Sequence, residues 1–135
     1  MKRLQKLILA LLGITLMVAC NSTHQQSDIN LNNGEKWKVN AEMKPHIEKG
    51  NELLTEFISN KDKDYQKLAE NLKTQNNSLI QSCTMKGESH DELHKWLHPH
   101  IELTQKLSNA HSTSEAEEII SQLEKSFNTY QNYFD

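Results

Sequence analysis

The sequence has few cysteines and lacks the spacing motifs of common zinc sites. Its two cysteines are Cys20 and Cys83, which are too far apart for a CxxC motif, and no HExxH motif occurs. If Cys20 is modified, as argued below, Cys83 is the only thiol left and no disulfide can form within the chain. Neither a disulfide-stabilised fold nor a standard zinc motif is therefore expected.

The motifs of common enzyme classes are missing as well. The sequence contains no glycine-rich phosphate-binding loop and no nucleophile elbow. Cys83 and His90 would be the nearest approach to a thiol–imidazole pair, but the sequence offers no third group to orient the histidine and no evident oxyanion-binding feature. We therefore expect that the protein is not an enzyme.

Basic residues are scarce after the first few positions. The whole chain has 15 Lys and Arg against 18 Asp and Glu, a net charge of −3. Lys2, Arg3 and Lys6 fall within residues 1–19, which hold no acidic residue, so the remainder carries 12 basic and 18 acidic residues and a charge of −6. This acidic character argues against nucleic acid as a partner and against a cationic membrane-binding face.

The start of the chain has the pattern of an export signal. Basic residues precede an apolar run from Leu7 to Ala19, which is too short for a permanent membrane span and predicts a cleaved signal peptide over residues 1–19. The run ends Leu16-Met17-Val18-Ala19-Cys20, which resembles the bacterial lipobox. That resemblance implies lipid attachment at Cys20, and Asn21, rather than Asp, implies an outer-membrane lipoprotein facing the periplasm.

Two regions follow the signal. Residues 20–35 are polar and almost free of aliphatic side chains, which predicts a flexible tether. Residues 36–135 show the apolar period of helices in four segments, at about 41–59, 64–83, 89–110 and from 113 onward. Short connections between helices of similar length predict an all-α, up-down-up-down antiparallel four-helix bundle.

Local signals refine the helix boundaries. Asn40 is the expected N-cap of the first helix. Ser89 and Ser112 each precede a Glu by three residues, the capping-box pattern, and should cap the third and fourth helices. Pro99 should kink the third helix or shift its boundary, because proline blocks one backbone hydrogen bond.

The predicted topology gathers unusual side chains at one end of the bundle. The candidate metal ligands there are Met43, His46, Cys83, Met85, His90 and His94. Thioether, thiolate and imidazole groups suit Cu(I) and related soft ions better than Mg²⁺ or Ca²⁺. His90 and His94 are four residues apart and so share one helix face. The cluster favours an envelope lipoprotein that binds a copper-like ion.

Other interpretations remain open for the same residues. A single Met or Cys on an apolar stripe usually packs in a core, and a buried His can be satisfied by a hydrogen bond. His98, His100 and His111 are expected on the surface or on helix flanks. A non-catalytic helical module that binds a protein partner in the envelope is the second functional hypothesis, since such a module needs no ligand cluster.

Part of the sequence resembles a known family. The helix order, the early Met43 and the ending Leu123…Asn128-Thr129-Tyr130-Gln131-Asn132-Tyr133 resemble the soluble four-helix cytochrome b of the bacterial periplasm, over most of residues 40–135. The resemblance implies a four-helix bundle and haem ligation by a helix 1 Met and a helix 4 His. Met43 matches the first ligand, but Gln131 stands at the second and is a poor iron ligand.

The departure at residue 131 changes what the resemblance implies. Haem binding by the family's usual pair is not expected. Haem held by Met43 with His46 or His90 is a third functional hypothesis. Residues 82–97 also resemble stretches of envelope lipoproteins that have no assigned activity.

Overall fold

A computed structural model describes residues 28–135, and this part of the chain contains four α-helices. They are α1 (Lys44–Ser59), α2 (Tyr65–Gln81), α3 (Glu88–Ser108) and α4 (Thr113–Tyr133). Each helix packs on the next one along the chain, and α1 also contacts α4, though more sparsely. The connections are short, so neighbouring helices run antiparallel. The predicted all-α four-helix bundle is confirmed.

The bundle is held by one continuous apolar core. The largest fully buried side chains are Trp96, Phe134, Met43, Leu54, Leu72, Leu79, Leu93, Leu107, Leu123 and His100. Two residues that the periodic pattern places on the apolar stripes are instead exposed, Ile58 at 38% and Ile80 at 48%. Since burial of the apolar stripes supplies most of the stability of such helices, this core is the main source of the stability of the bundle.

The helix starts follow the predicted caps in only some cases. The Ser112 side chain accepts a hydrogen bond from the backbone N–H of Glu115, as the capping pattern predicts. The expectation for Ser89 is wrong, because α3 begins one residue earlier and has Gly87 at its N-cap, with a φ of 70° that favours glycine. The Ser89 hydroxyl donates instead to the carbonyl of Lys86.

Asn40 does not cap α1, whose N-cap is Met43. Its side-chain amide donates to the carbonyl of Ser82 at 2.9 Å, and its side-chain oxygen accepts from the N–H of Thr84 at 3.2 Å. Asn40 therefore ties the chain before α1 to the connection between α2 and α3. That longer-range role replaces the local cap that the sequence predicts.

Pro99 lies inside α3, and the helix continues through it to Ser108. The helix boundary is therefore not shifted by this proline.

A buried hydrogen bond joins α2 and α3. The Asn76 amide donates to the Thr104 hydroxyl at 3.2 Å within the interior. Because a buried polar group is costly unless paired, this bond favours one register of the two helices.

Residues 28–39 form an N-terminal segment that packs along the bundle. Trp37 and Val39 are buried, and they bond to the end of α4 through three backbone hydrogen bonds, which we call the clasp. Trp37 N–H donates to Tyr133 at 2.8 Å, Asp135 N–H donates to Trp37 at 3.0 Å, and Val39 N–H donates to Asp135 at 3.0 Å. The clasp fixes the start of the domain to its end.

The same segment also contacts α3 through its first residues. Ile29 is 8% exposed, and Asn30 donates its backbone N–H to the buried Glu92 carboxylate at 2.8 Å. Burial raises the pKa of Glu92, but hydrogen bonds from Lys95 and Asn30 outweigh this and hold the pKa below its ordinary value. Within the described residues, contact with the bundle is already present at Asp28, whose carbonyl accepts a hydrogen bond from the Lys95 side chain at 3.2 Å, whereas the sequence interpretation carried the tether through residue 35.

The predicted signal over residues 1–19, the lipid-attachment residue Cys20 and the tether up to residue 27 lie outside the described residues.

Candidate metal-binding groove

A surface groove lies between the end of α2, the α2–α3 connection and one face of α3. Its volume is about 360 Å³. It is lined by Ile80, Cys83, Met85, His90, Leu93, His94, Leu97, His98 and Ile101. Aliphatic side chains thus share this groove with two sulfur atoms and three imidazole rings.

The three imidazoles stand in a row because their spacing is four residues. His90, His94 and His98 fall on one face of α3, since an α-helix turns once every 3.6 residues. The ring centroids of His90 and His94 are 4.3 Å apart, and those of His94 and His98 are 4.7 Å apart. We call these three residues the histidine ladder.

One hydrogen bond links two members of the ladder. Nδ1 of His94 lies 2.9 Å from Nε2 of His98, so one ring donates its N–H and the other accepts with a lone pair. Burial lowers the pKa of His94, and the neighbouring His90 and His98 lower it further, against a small opposing effect of Asp91. A neutral imidazole keeps a lone pair available for a metal ion.

The sulfur side of the groove is the connection between α2 and α3. Cys83 and Met85 are partly buried and pack against the core, and Cys83 is a free thiol. The connection is held by the bonds from Asn40 to Ser82 and Thr84 on either side of Cys83. The cysteine therefore sits on a backbone that is fixed by the chain preceding α1.

The structure divides the six predicted ligands into two groups. Cys83, Met85, His90 and His94 line the same groove, whereas Met43 and His46 are not among the described residues that line it. Met43 is fully buried in the core. Four of the six candidates therefore line one groove, and the other two do not.

His46 faces α2 instead of the groove. Its Nδ1 lies 3.4 Å from Oε1 of Gln75, a side chain in the second half of α2. Sequence reasoning also missed one groove residue, His98, which was expected only on the surface. The signal was present, because His98 follows His94 by the same four residues that separate His94 from His90.

The donor atoms do not form a complete coordination shell as they stand. Within residues 28–135, no group of three or more His, Cys, Asp or Glu side chains is placed to hold a metal ion. Among the nitrogen donors of the groove, His94 and His98 lie within hydrogen-bonding distance of each other. Joint ligation of one ion by sulfur and nitrogen atoms would therefore require side-chain rotation.

His100 is a correction to the sequence analysis, which placed it on the surface. Its side chain is 1% exposed and stacks on Trp96, with ring centroids 4.9 Å apart. The Phe127 ring lies edge-on at 4.7 Å, and Nδ1 is 2.9 Å from the Ser126 hydroxyl. Burial lowers the pKa of His100 to about 4. His100 thus belongs to the core.

The four-helix cytochrome b binds haem through a Met and a His. The two matching positions in this chain do not supply that pair. Met43 is fully buried in the packed core, and Gln131 is exposed on α4. A side-chain amide is also a poor ligand for iron compared with an imidazole.

Comparisons with protein-family models, with curated proteins and with solved structures find no match to this chain. Among residues 28–135, no helix is both long and apolar enough to cross a membrane. The case for a function therefore depends on the groove and on the sequence.

Proposed function

We propose that the protein is a lipoprotein of the cell envelope that binds a soft transition-metal ion, with Cu(I) as the best fit. The binding site is the groove, and the ligands are drawn from Cys83, Met85, His90 and His94, with His98 as an added nitrogen donor. One observation carries the proposal: these five donors, from two separate elements of the chain, line a single groove.

The chemistry of the donors supports a soft ion over a hard one. A thiol and a thioether stand on the connection, and imidazoles stand on the facing helix. Soft sulfur ligands select Cu(I), whereas Mg²⁺ and Ca²⁺ take oxygen ligands. The aliphatic side chains of Leu93, Leu97 and Ile101 line the same groove and lower the polarity around these donors.

Cys83 is assigned the largest share of the affinity. Thiolate binds a soft ion more strongly than imidazole or thioether does. The position of Cys83 is fixed by the bonds that Asn40 makes to the residues on either side of it. A ligand on a fixed backbone loses less conformational entropy on binding than one on a free loop.

A competition titration of the full-length protein with a Cu(I) chelator tests the proposal. Cys83→Ser should lose affinity by about 100-fold, which corresponds to roughly 2.7 kcal/mol of ligand interaction. Met85→Leu should lose less, because a thioether is the weaker ligand. His111→Ala is the matched control, since His111 is exposed at the α3–α4 connection. Equal affinity for wild type and Cys83→Ser, or no binding by either, would contradict the proposal.

Attachment through a lipid on Cys20 is the second part of the proposal, with the protein facing the periplasm from the outer membrane. The signal-like residues 1–19 and the lipobox-like ending support it. Cys20→Ser should move the protein from the detergent phase to the aqueous phase in a phase-partitioning experiment. Cys83→Ser should stay in the detergent phase, and a Cys20→Ser protein that also stays there would refute the anchor.

An envelope protein partner is the alternative function, and one observation favours it. Ile80 lines the groove and is 48% exposed, which places an apolar surface at the edge of the groove. Replacing Ile80 by Lys should block a partner while leaving Cu(I) affinity within about 3-fold, a difference below 1 kcal/mol. Co-purification of a protein with wild type but not with Ile80→Lys would favour this alternative if no metal binds.

A further inference from the structure

The nitrogen donors of the groove are separate from its sulfur donors. The histidine ladder lies on one face of α3, while Cys83 and Met85 lie on the connection that precedes this helix. Two ladder nitrogens, Nδ1 of His94 and Nε2 of His98, already stand 2.9 Å apart. This distance is close to the one expected between two nitrogen ligands of a single ion.

That separation matches two neighbouring positions around an ion with right-angle geometry. Two imidazole nitrogens bound at about 2.0–2.1 Å are about 2.9 Å apart at an angle of 90°, and about 3.4 Å apart at the tetrahedral angle. Square-planar and octahedral ions have right-angle neighbours, and square-planar nitrogen sites are typical of Cu(II) and Ni(II). The distance between the two nitrogens therefore matches such an ion, and the rings would have to turn so that both lone pairs face it.

We propose that His94 and His98 form a two-nitrogen chelate for a borderline divalent cation such as Ni²⁺ or Cu²⁺. This inference rests on the proposed function only in locating a metal ion in the groove. Water would complete the coordination, and His90, whose ring stacks on His94, is the nearest further nitrogen donor. The groove would then present sulfur to a soft ion and paired nitrogens to a borderline one.

The framework beneath the ladder holds the two rings at this spacing. Leu93, Trp96 and Leu97 are buried beneath the same stretch of α3. The Trp96 indole N–H donates to the backbone carbonyl of Ser126 at 2.8 Å, which ties α3 to α4. A fixed helix face reduces the ordering cost of chelation, because only the two side chains must be positioned.

Exposure of the ladder gives a hydrated ion a route to the chelate. His98 is exposed and His94 is partly exposed, in contrast to the fully buried His100 two residues further on.

Titration of the full-length protein with Ni²⁺, which thiols do not reduce, tests the inference by calorimetry. His94→Ala and His98→Ala should each weaken Ni²⁺ binding by about 100-fold, because losing one nitrogen removes the effective concentration that a chelate provides. His111→Ala should bind Ni²⁺ as the wild type does. Circular dichroism of each variant checks that its helices are intact.

A second arm separates this inference from the proposed function. Cys83→Ser should keep its Ni²⁺ affinity while losing Cu(I) affinity. Bound to Cys83→Ser, Cu²⁺ should show an electron paramagnetic resonance spectrum with hyperfine structure from two nitrogens, and His98→Ala in the same background should lose it. Unchanged Ni²⁺ affinity in His94→Ala and His98→Ala would overturn the inference, and so would an equal loss in Cys83→Ser.

Discussion

Two faces of α3 carry histidines with opposite surroundings. On the core face, His100 is stacked on Trp96, faces the edge of Phe127 and bonds to the Ser126 hydroxyl. On the groove face, His94 and His98 bond to each other beside a surface groove. His98 and His100 are only two residues apart, yet a helix turns by about 200° over that distance.

The comparison shows why one type of residue serves two purposes on one helix. The Nδ1 atom of His100 is taken up by Ser126, and the ring is closed off from solvent by aromatic neighbours. The ladder imidazoles have mainly each other as partners, and a metal ion can replace such a bond. Position around the helix, more than residue type, decides whether a histidine stabilises the fold or can bind a ligand.

The largest effect should come from the core face. Trp96→Ala removes a 2%-exposed indole together with its bond to Ser126, and should lower the free energy of unfolding by about 3–5 kcal/mol. Urea unfolding followed by circular dichroism measures this change. A loss below about 1 kcal/mol would mean that the core face is far less tightly packed than the contacts indicate.

The next largest effect should come from acid, which should lower the free energy of unfolding through His100 on the core face. The pKa of His100 is about 4 in the folded protein against an ordinary 6.5. Between these values the unfolded chain binds a proton that the folded chain excludes, so the free energy of unfolding falls as the pH falls from 6.5 to 4. The full contribution is roughly 3 kcal/mol, and below pH 4 it no longer changes.

The control for acid sensitivity is His100→Gln, which keeps an amide within reach of Ser126 and cannot titrate. Between pH 7 and pH 4.5 the wild type should lose more stability than this variant. The comparison cancels the carboxylates, which titrate in both proteins. Parallel curves for the two proteins would assign the acid response to other groups.

A third side of α3 is covered by the N-terminal segment, and its effect should be smaller. Ile29→Ala removes a buried side chain from beside Glu92 and should cost roughly 2 kcal/mol of the free energy of unfolding. Leu31→Ala is the matched control, because Leu31 is 41% exposed and should change stability by less than about 0.5 kcal/mol. Equal, negligible effects of both changes would mean that residues 28–31 act as a tether after all.

The smallest effect on stability should be found on the groove face. His98→Ala should change the free energy of unfolding by less than about 0.5 kcal/mol, because the side chain is exposed. The same urea titration used for Trp96→Ala measures it. If His98→Ala unfolds the protein as readily as Trp96→Ala does, the contrast between the two faces fails.

The helices could be predicted from the sequence because their signals are local. Apolar residues at helical spacing placed each helix within a few residues of its observed bounds, and Ser112 is a cap as expected. The caps predicted at Asn40 and Ser89 were wrong because these side chains make other hydrogen bonds. Asn40 reaches residues more than forty positions away, and the positive φ of Gly87 starts α3 before Ser89.

The contacts that depend on several elements could not be read from spacing alone. Helical spacing predicts a stripe of Leu93, Leu97, Ile101 and Thr104 on the third helix, but α3 packs against both α2 and α4 and buries a wider arc that includes Trp96 and His100. Ile29 lies in a polar stretch without periodic neighbours, so nothing in the pattern marked it as buried.

The candidate groove could be predicted only in part, because its lining depends on how the helices are rotated against one another. The topology brings the α2–α3 connection and α3 together, which grouped Cys83, Met85, His90 and His94 correctly on one surface. It could not resolve the angular position of α1, so Met43 and His46 were placed with them. Knowing which end of a bundle a residue occupies does not say which side of the helix it lies on.

The clasp has a consequence for the order of folding. Lys38 and Asp135, which lie within the clasp, are 97 residues apart in sequence, whereas each pair of consecutive helices is joined by a short connection. Closing a loop becomes entropically more costly by about 0.6 kcal/mol for each doubling of its length, so the helical hairpins should form before the two ends meet. Once the helices have assembled, the ends are already close and the remaining cost is small. The amide protons of Trp37, Val39 and Asp135 should therefore gain protection from hydrogen exchange last during refolding, and should lose it first on gentle warming.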